Sequence, residues 1–564
     1  MLSLTEKCAG VLVPLFALRG SADFGCGDLA ALRRFIDWSA AHGFRLVQLL
    51  PVNETGGDNS PYNAISSVAI EPTTLDPHAI LDLQPGEIAA IAEQHNVSHG
   101  SVEWAAVKRL HHDLHRRAFA NFSAHSWERN DERAKAFAAF AKEELSWLEG
   151  YSLFRVLMAR HGTEAWDTWP EEVRTFADAE RWLEALRPGH RGAIDQELRF
   201  FCYVQWQAFE QWRAVKAYAQ QRGVALMGDI PFGVNYSSAD VWAAPALFDL
   251  KWSGGAPPEP AFMGDEFCRR WGQNWGVPLY AWPAHRADGF AWWRQRVRKI
   301  GDAFHTFRID HVLGFYRIYG FPWRPQRNAE FAPLTHDEAR ARTGGELPHF
   351  HQHDDDTAEH RAQNRAQGEE FLRVLQAEVG PGALVGEDLG TVPEYVRPSL
   401  LSLDIPGFKV PQWEKEGDGP LTPGHDYPRC TIATYATHDH DPLRVMWEGW
   451  MNTIRAALAE PERIAAENER AWREVRAFAD WAGIEVPHIL TFDEVHEPLL
   501  AGLFRSNSAI AIAMITDVLG TADRFNVPGS VTAENWSARL PADWETAYAE
   551  KAQRVAQLIR AAGR

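Results

Sequence analysis

Short apolar runs alternate with helical patterns along most of the chain, and this alternation strongly constrains the fold. Eight runs end in polar or glycine-bearing turns, and most are followed by a segment with helical periodicity. Such alternation is typical of parallel α/β proteins, because a crossover must return the chain before the next parallel strand begins. The predicted strands are residues 10–18, 46–52, 224–234, 307–312, 383–389, 407–412, 431–437 and 509–516.

Eight strand-and-helix units predict an α/β fold, a (β/α)8 TIM barrel with inserted, mainly helical subdomains. A doubly wound open sheet is the alternative, but it usually has a glycine-rich dinucleotide turn after its first strand, and none occurs here. We expect a single catalytic barrel over residues 1–564. A helical subdomain is predicted at residues 65–198 after strand 2, and a smaller insertion at 320–356 after strand 4.

Composition narrows the class of partner. The net charge of −19 argues against nucleic acid or an anionic membrane and suits a neutral substrate. The 24 tryptophans suggest carbohydrate, because sugar rings stack on flat aromatic faces, although core packing must account for most of them. Five scattered cysteines without metal spacing indicate reduced thiols and a cytoplasmic location. No run of roughly 18 apolar residues predicts a membrane span.

Acidic residues stand at the ends of four predicted strands. In a barrel these ends form one face, where active sites lie, whereas unrelated acidic residues would more often fall on helix surfaces. Arg308 and Asp310 lie two residues apart on one strand and point to the same side, although this pair alone also fits a structural ion pair. We therefore expect a carboxylate-based site, built on strands three, four, five and seven: Asp229, Asp310, Glu387 and Asp439.

Paired carboxylates are the groups used in glycoside chemistry. One attacks the anomeric carbon and the other, kept protonated, donates a proton to the leaving oxygen. A histidine-rich stretch is the competing candidate for a metal site, but His349, His351 and His353 match no standard zinc spacing, so no metal is predicted. The sequence also contains no P-loop, Gly-x-Ser-x-Gly elbow or Cys-x-x-Cys pair.

A set of motifs, in a fixed order along the chain, resembles glycoside hydrolase family 77, the 4-α-glucanotransferases called amylomaltase or disproportionating enzyme. The motifs are Ser60-Pro61-Tyr62, Gly228-Asp229-Ile230-Pro231, Ser238-Ala239-Asp240-Val241-Trp242, Gly254-Gly255-Ala256-Pro257-Pro258, Gly272-Gln273-Asn274-Trp275-Gly276, Arg308-Ile309-Asp310-His311, Gly386-Glu387-Asp388-Leu389-Gly390, Thr437-His438-Asp439 and Asn526-Val527-Pro528-Gly529.

The resemblance implies a role for each matching residue. Asp310 would be the nucleophile, Glu387 the general acid and base, and Asp439 the stabiliser of the transition state. The family transfers α-1,4-glucan segments between maltooligosaccharide or glucan donors and acceptors, and it needs no organic cofactor or catalytic metal. The substrate-binding residues would be Arg308, His438, Tyr62, Trp275, Asp229, Asp388 and Asn526.

Two departures from the family pattern concern the acceptor. The family usually has Phe-Arg-Gly after the nucleophile's histidine, whereas this chain has Val312-Leu313-Gly314, which is similar to the plant cytosolic branch. That branch uses maltose as donor and a branched glucan as acceptor, but we expect none of its N-terminal carbohydrate-binding modules before residue 10. Residues 259–271 also form a longer loop than usual near the expected cleft.

Two other functions compete with glucan transfer. A retaining α-glucan hydrolase would use the same carboxylates, with water replacing the acceptor, and the catalytic residues do not separate the two. A non-catalytic glycan-binding protein would have lost the nucleophile or the acid, yet Asp310, Glu387 and Asp439 are all present.

Overall fold

The protein is described by a computed structural model over residues 6–259, 265–415, 417, 419–459, 464–486, 488–528 and 532–564. Two predicted features lie partly outside these ranges: Gly529 of the last motif, and residues 260–264 of the long loop. Within the described ranges, no helix is both long and apolar enough to cross a lipid bilayer.

Eight parallel strands form the predicted barrel, in the sheet order β6-β7-β8-β1-β2-β3-β4-β5. Between β5 and β6 the Gly386 amide donates to the Pro406 carbonyl over 2.9 Å, so the sheet is nearly closed. The prediction of a (β/α)8 barrel is confirmed. The strands are β1 (Cys8–Leu12), β2 (Leu46–Gln48), β3 (Ala225–Ile230), β4 (Thr306–Ile309), β5 (Leu384–Gly386), β6 (Gly407–Lys409), β7 (Thr431–Ala433) and β8 (Ile510–Met514).

All eight barrel strands end earlier than their apolar runs predict. After β1 the chain passes Pro14 and forms a 3-10 turn at Leu15–Ala17, all of it buried. After β4 it turns at His311, which has a φ of 46°, into the 3-10 turn Val312–Phe315. An apolar run in the sequence indicates that residues are buried, not that they hydrogen-bond to a neighbouring strand. The predicted runs therefore include the buried turns that follow the strands.

Helices surround the barrel and fill the segment between β2 and β3. One long helix, Pro188–Gln221, begins at a proline, which suits a first helical turn. It therefore runs through residue 198, and a separate subdomain at 65–198 stays a prediction. The longer helices are Leu29–Ala41, Pro85–His95, Trp104–Phe122, Glu132–Glu143, Leu145–His161, Phe176–Glu184, Pro188–Gln221, Ala291–Ala303, Ala358–Val379, Leu443–Ala459, Ala465–Ala482, Phe492–Arg505 and Ala549–Ala561. The shorter ones are Ala239–Ala243, Glu266–Trp271, Trp282–Ala287, Asn328–Phe331, His336–Arg342, Val396–Ser402, Ile515–Leu519 and Trp544–Ala547.

A four-stranded antiparallel sheet is formed by segments of the chain that follow β3 and β4. These segments are rich in glycine, asparagine and proline, which usually mark loops. Glycine has a packing role here, since a Cβ at Gly255 would lie 1.9 Å from the Gln273 carbonyl oxygen of the paired strand. In sheet order the strands are Gln273–Tyr280, Phe248–Ala256, Ile318–Phe321 and His349–His351.

The antiparallel sheet has its own small core beside the barrel. Trp323 stacks on Phe331 with ring centroids 3.8 Å apart, and Trp271 meets Trp323 edge to face. Fourteen of the 24 tryptophans are buried, so core packing accounts for most of them, as expected. His349 and His351, considered above as metal ligands, instead pack their rings against Trp252.

Candidate active site

A cleft of about 860 Å³ opens at the carboxyl ends of the barrel strands. Asp310, Glu387 and Asp439 all line it, together with Tyr62, Trp275 and Asn526 on the surrounding loops and sheet. Asp310 and Glu387 each follow directly on a barrel strand, β4 and β5. The structure therefore brings together the three carboxylates that the sequence placed on separate strands.

Arg308 is the centre of the charge network beneath the cleft. Its buried guanidinium donates from Nη1 to Asp229 Oδ2 over 2.6 Å. Its Nη2 lies 2.8 Å from Asp310 Oδ1 and 3.9 Å from Glu387 Oε2. Arg308 and Asp310 point to the same side, as their spacing of two predicted. One arginine thus lies within 4 Å of three carboxyl groups, and it compensates negative charge that burial would otherwise make costly.

Burial favours the protonated form of Glu387, although the hydrogen bonds that it accepts favour the ionised form. Its carboxyl oxygens accept hydrogen bonds from the backbone amides of His311, over 2.7 Å, and Leu389, over 3.0 Å. Burial, with Arg308 opposing and Asp310 adding, raises the pKa of Glu387 to about 8. The group therefore carries a proton at neutral pH, as a general acid must.

Asp439 lies in the opposite electrostatic environment. Burial acts to raise the pKa of its carboxyl, but the neighbouring His438 and Asn526 outweigh burial and lower that pKa well below its usual range. Asn526 donates to Asp439 Oδ1 over 2.6 Å, and His438 Nε2 lies 3.2 Å from Oδ2. Asp439 is consequently ionised and able to stabilise positive charge. It stands in the loop after β7, which ends at Ala433, rather than at the strand end itself.

Tyr62, Asp229 and His438 form one wall beside Arg308. The Tyr62 hydroxyl donates to Asp229 Oδ2 over 2.7 Å, and its ring stacks on His438 with centroids 5.0 Å apart. Asp229 is fully buried, and this burial raises its pKa despite Arg308. Its Oδ1 has no hydrogen-bond partner within the described part of the chain. Asp229 therefore supports Arg308 and Tyr62 from below.

Trp275 and Asp388 differ in how they relate to the cleft. Trp275 comes from the antiparallel sheet, is 40% exposed, and meets the His311 ring edge to face at 4.8 Å. Asp388, also predicted to bind sugar, lies beside β6. Its buried carboxylate accepts from the Phe408 amide over 2.6 Å and from Arg397 over 3.1 Å. It faces β6, because alternate residues beyond a strand point to opposite sides, so Glu387 alone of this pair faces the cleft.

Two functional contacts were not predicted from the sequence. The backbone amide of His311 donates to Glu387. This contact depends on a turn at His311, whose left-handed backbone conformation is visible only in the structure. Arg524 donates from Nη2 to the Asp439 carbonyl over 2.8 Å and from Nη1 to Asp441 over 2.5 Å, so it fixes the loop after β7. The only signal for Arg524 was its position two residues before the Asn526 motif.

A parallel barrel that gathers several carboxyl groups with contrasting pKa values in one cleft is typical of the class of glycoside-processing proteins. The sequence matches the Glyco_hydro_77 family, described as 4-alpha-glucanotransferase, over residues 13–544. The chain belongs to this family.

Individual relatives agree with this assignment. A 4-alpha-glucanotransferase of Thermus thermophilus is 30% identical over 95% of this chain and 95% of its own length. The 4-alpha-glucanotransferase DPE2 of Oryza sativa subsp. japonica is 32% identical over 56% of this chain and 32% of its own length. The structure of amylomaltase from Streptococcus agalactiae in complex with acarbose has the same fold, with a TM-score of 0.75, 21% identity and coverage of 99% of this chain and 100% of that one.

Proposed function

We propose that this protein is a 4-α-glucanotransferase that moves α-1,4-glucan segments between maltooligosaccharides or glucans by a retaining double displacement. The observation that carries the proposal is the contrast between two carboxylates in one cleft. Glu387 has a raised pKa and Asp439 a lowered one, while Asp310 lies beside Glu387 on the shared Arg308 guanidinium. Family membership supports the same reaction.

In the first displacement an Asp310 carboxylate oxygen attacks the anomeric carbon of the donor. The glycosidic C–O bond breaks, and the Glu387 proton goes to the leaving oxygen, which departs as the 4-hydroxyl of the shortened glucan. Asp439, ionised and close to the sugar, stabilises the oxocarbenium-like transition state electrostatically. The product is a covalent β-glucosyl ester on Asp310 and an ionised Glu387.

In the second displacement the acceptor's 4-hydroxyl enters the space that the leaving glucan vacated. Glu387, now a base, removes the hydroxyl proton while the oxygen attacks the anomeric carbon and releases Asp310. Two inversions at one carbon give net retention. We assign donor-site binding to Arg308 and His438, and binding along the cleft to Tyr62, Trp275 and Asn526, with Asp229 as their support. The proposed mechanism uses no metal and no organic cofactor.

The cytoplasmic location is part of this proposal. It rests on the five cysteines, which the structure holds as free thiols, with Cys8 and Cys26 buried. Fractionation of the producing cell, with the protein followed by antibody, tests it.

Product analysis tests the reaction. The pure protein is incubated with maltotriose alone and then with maltose or maltotriose plus glycogen, and all oligosaccharides are resolved by chromatography. Chains both longer and shorter than the donor, with a constant number of reducing ends, are expected for transfer. Shortening alone, with one new reducing end for each bond broken, would assign the protein to the hydrolases instead. A requirement for glycogen would identify a polymer acceptor, as the plant-like Val312-Leu313-Gly314 variant suggests.

A further inference from the structure

Exposed aromatic side chains are rare in this protein, and their positions are informative. All 24 tryptophans lie in the part of the chain that the structure describes, and only Trp275 and Trp413 among them are exposed, at 40% and 47%. Each meets, edge to face, a histidine that follows directly on a catalytic carboxylate. Trp275 contacts His311, next to Asp310, and Trp413 contacts His440, next to Asp439, with centroids 4.8 and 4.9 Å apart.

Trp413 lies outside the cleft described above. Trp275 lines the 860 Å³ cleft, whereas Trp413 is absent from its described lining. Trp413 stands in the turn after β6, and its contact with His440 places it beside the loop that carries Asp439. A glucan confined to the cleft does not need this ring, but one that continues past the Asp439 side of the cleft meets it.

The turn that carries Trp413 is fixed before any ligand arrives. Gln412 donates to the Tyr435 carbonyl over 2.7 Å, so the residue before Trp413 is bound to the segment after β7. On the other side, Glu414 accepts from Lys409 over 2.6 Å and is also paired with Arg397. A fixed turn with an exposed indole loses little conformational entropy when a flat ligand stacks on it.

We propose that Trp413 is a stacking platform for a glucosyl unit of a long α-1,4-glucan, beyond the reach of short maltooligosaccharides. The proposal rests on the glucanotransferase function proposed above and extends it to the length of the substrate. About half of the Trp413 side chain is exposed to water, so part of the free energy of burying a tryptophan is not gained in the free protein. Stacking of a pyranose ring's C–H face on the indole would bury that surface and gain this free energy on binding. Trp413 therefore raises the preference of the enzyme for long glucans over short ones.

The test compares substrates of two lengths. Initial transfer rates are measured with maltotriose and with long-chain amylose, and the quantity of interest is the ratio of kcat/KM for amylose to that for maltotriose. Trp413→Ala is expected to lower this ratio about fivefold, and Trp413→Phe, which keeps an aromatic face, to retain most of it. Trp472→Ala is the matched control, because Trp472 is half-buried on the outer helix Ala465–Ala482, and its ratio should equal that of the wild type.

An equal loss for both substrates would overturn the proposal, because it would mean that Trp413 only supports His440 and the Asp439 loop. Electrophoresis in gels that contain amylose gives a readout independent of turnover. The wild type is expected to be retarded and Trp413→Ala to migrate faster; equal retardation of the two proteins would also contradict the platform. If retardation depends on Trp413 but the wild type transfers nothing from maltotriose or amylose, the proposed function fails while the platform stands.

Discussion

Replacing Glu387 by glutamine separates proton donation from the other tasks of the site. The wild-type carboxyl has its pKa raised to about 8, so it is protonated at neutral pH and loses its proton as the pH rises through that value. We therefore expect kcat/KM for maltotriose to fall on the alkaline side near pH 8. Glu387→Gln has no proton to give, so the rate with ordinary glucans should drop by a factor of roughly 10² to 10⁴, and the alkaline limb that belongs to Glu387 should disappear.

The same substitution has a calculable structural cost. Two backbone amides, those of His311 and Leu389, donate to the two Glu387 oxygens. A glutamine has one carbonyl oxygen for them, so one buried amide loses its acceptor and faces the new NH₂ group. This should destabilise the fold by about 1–3 kcal/mol. Glu394→Gln is the matched control, because Glu394 is exposed in the same loop after β5 and should change neither stability nor rate.

An activated donor provides the decisive assay. With an α-maltosyl fluoride donor the leaving fluoride needs little protonation, so Glu387→Gln should still release one fluoride per enzyme in a burst. The second displacement lacks its base, so a glycosylated protein should accumulate and be detected by intact mass, with the sugar on the peptide that contains Asp310. If the fluoride burst is lost as completely as transfer from maltotriose, Glu387 is not the acid, and the reasoning from its raised pKa fails.

Three further predictions follow from individual contacts. Asp310→Asn should abolish transfer and the covalent adduct while leaving the circular dichroism spectrum unchanged; near-normal turnover would remove Asp310 from the nucleophile role. Asp28 caps the helix Leu29–Ala41 through the Ala31 amide, and its burial raises its pKa to about 7. The folded protein holds the Asp28 proton more tightly than the unfolded chain does. The free energy of unfolding therefore falls as the pH rises from about 4 to 7. Asp28→Asn keeps the cap and should raise the unfolding free energy at pH 8 by up to about 4 kcal/mol, a gain absent at pH 4 in urea titrations. A Cβ at Gly228 would lie 2.5 Å from the Phe304 ring, so Gly228→Ala should cost about 1–3 kcal/mol in the same titration, and an unchanged midpoint would contradict this packing.

The barrel could be predicted because its signal is local and repeated. Parallel strands are buried on both faces, so each appears as a continuous apolar run that a short sequence window detects. The antiparallel sheet had no such signal, because its strands are interrupted by residues that usually mark loops. Gly254 and Gly255 lie within one strand, and the need for glycine at residue 255 comes from the Gln273 carbonyl of the neighbouring strand. Such a requirement is visible only when both strands are in place.

The same distinction between local and distant information applies to the site. The acidic residues could be found because each lies near the carboxyl end of a barrel strand or in the loop after one, and the parallel topology then brings them together. Their protonation states could not be predicted from the pattern of acidic residues alone, because they depend on burial and on several groups that are distant in sequence. The Asn526 amide that helps to keep Asp439 ionised is 87 residues away, and the His311 amide that holds Glu387 is 76 residues away. A pattern of carboxylates in sequence therefore indicates a reaction class, whereas the division of labour between acid and stabiliser is a property of the folded cleft.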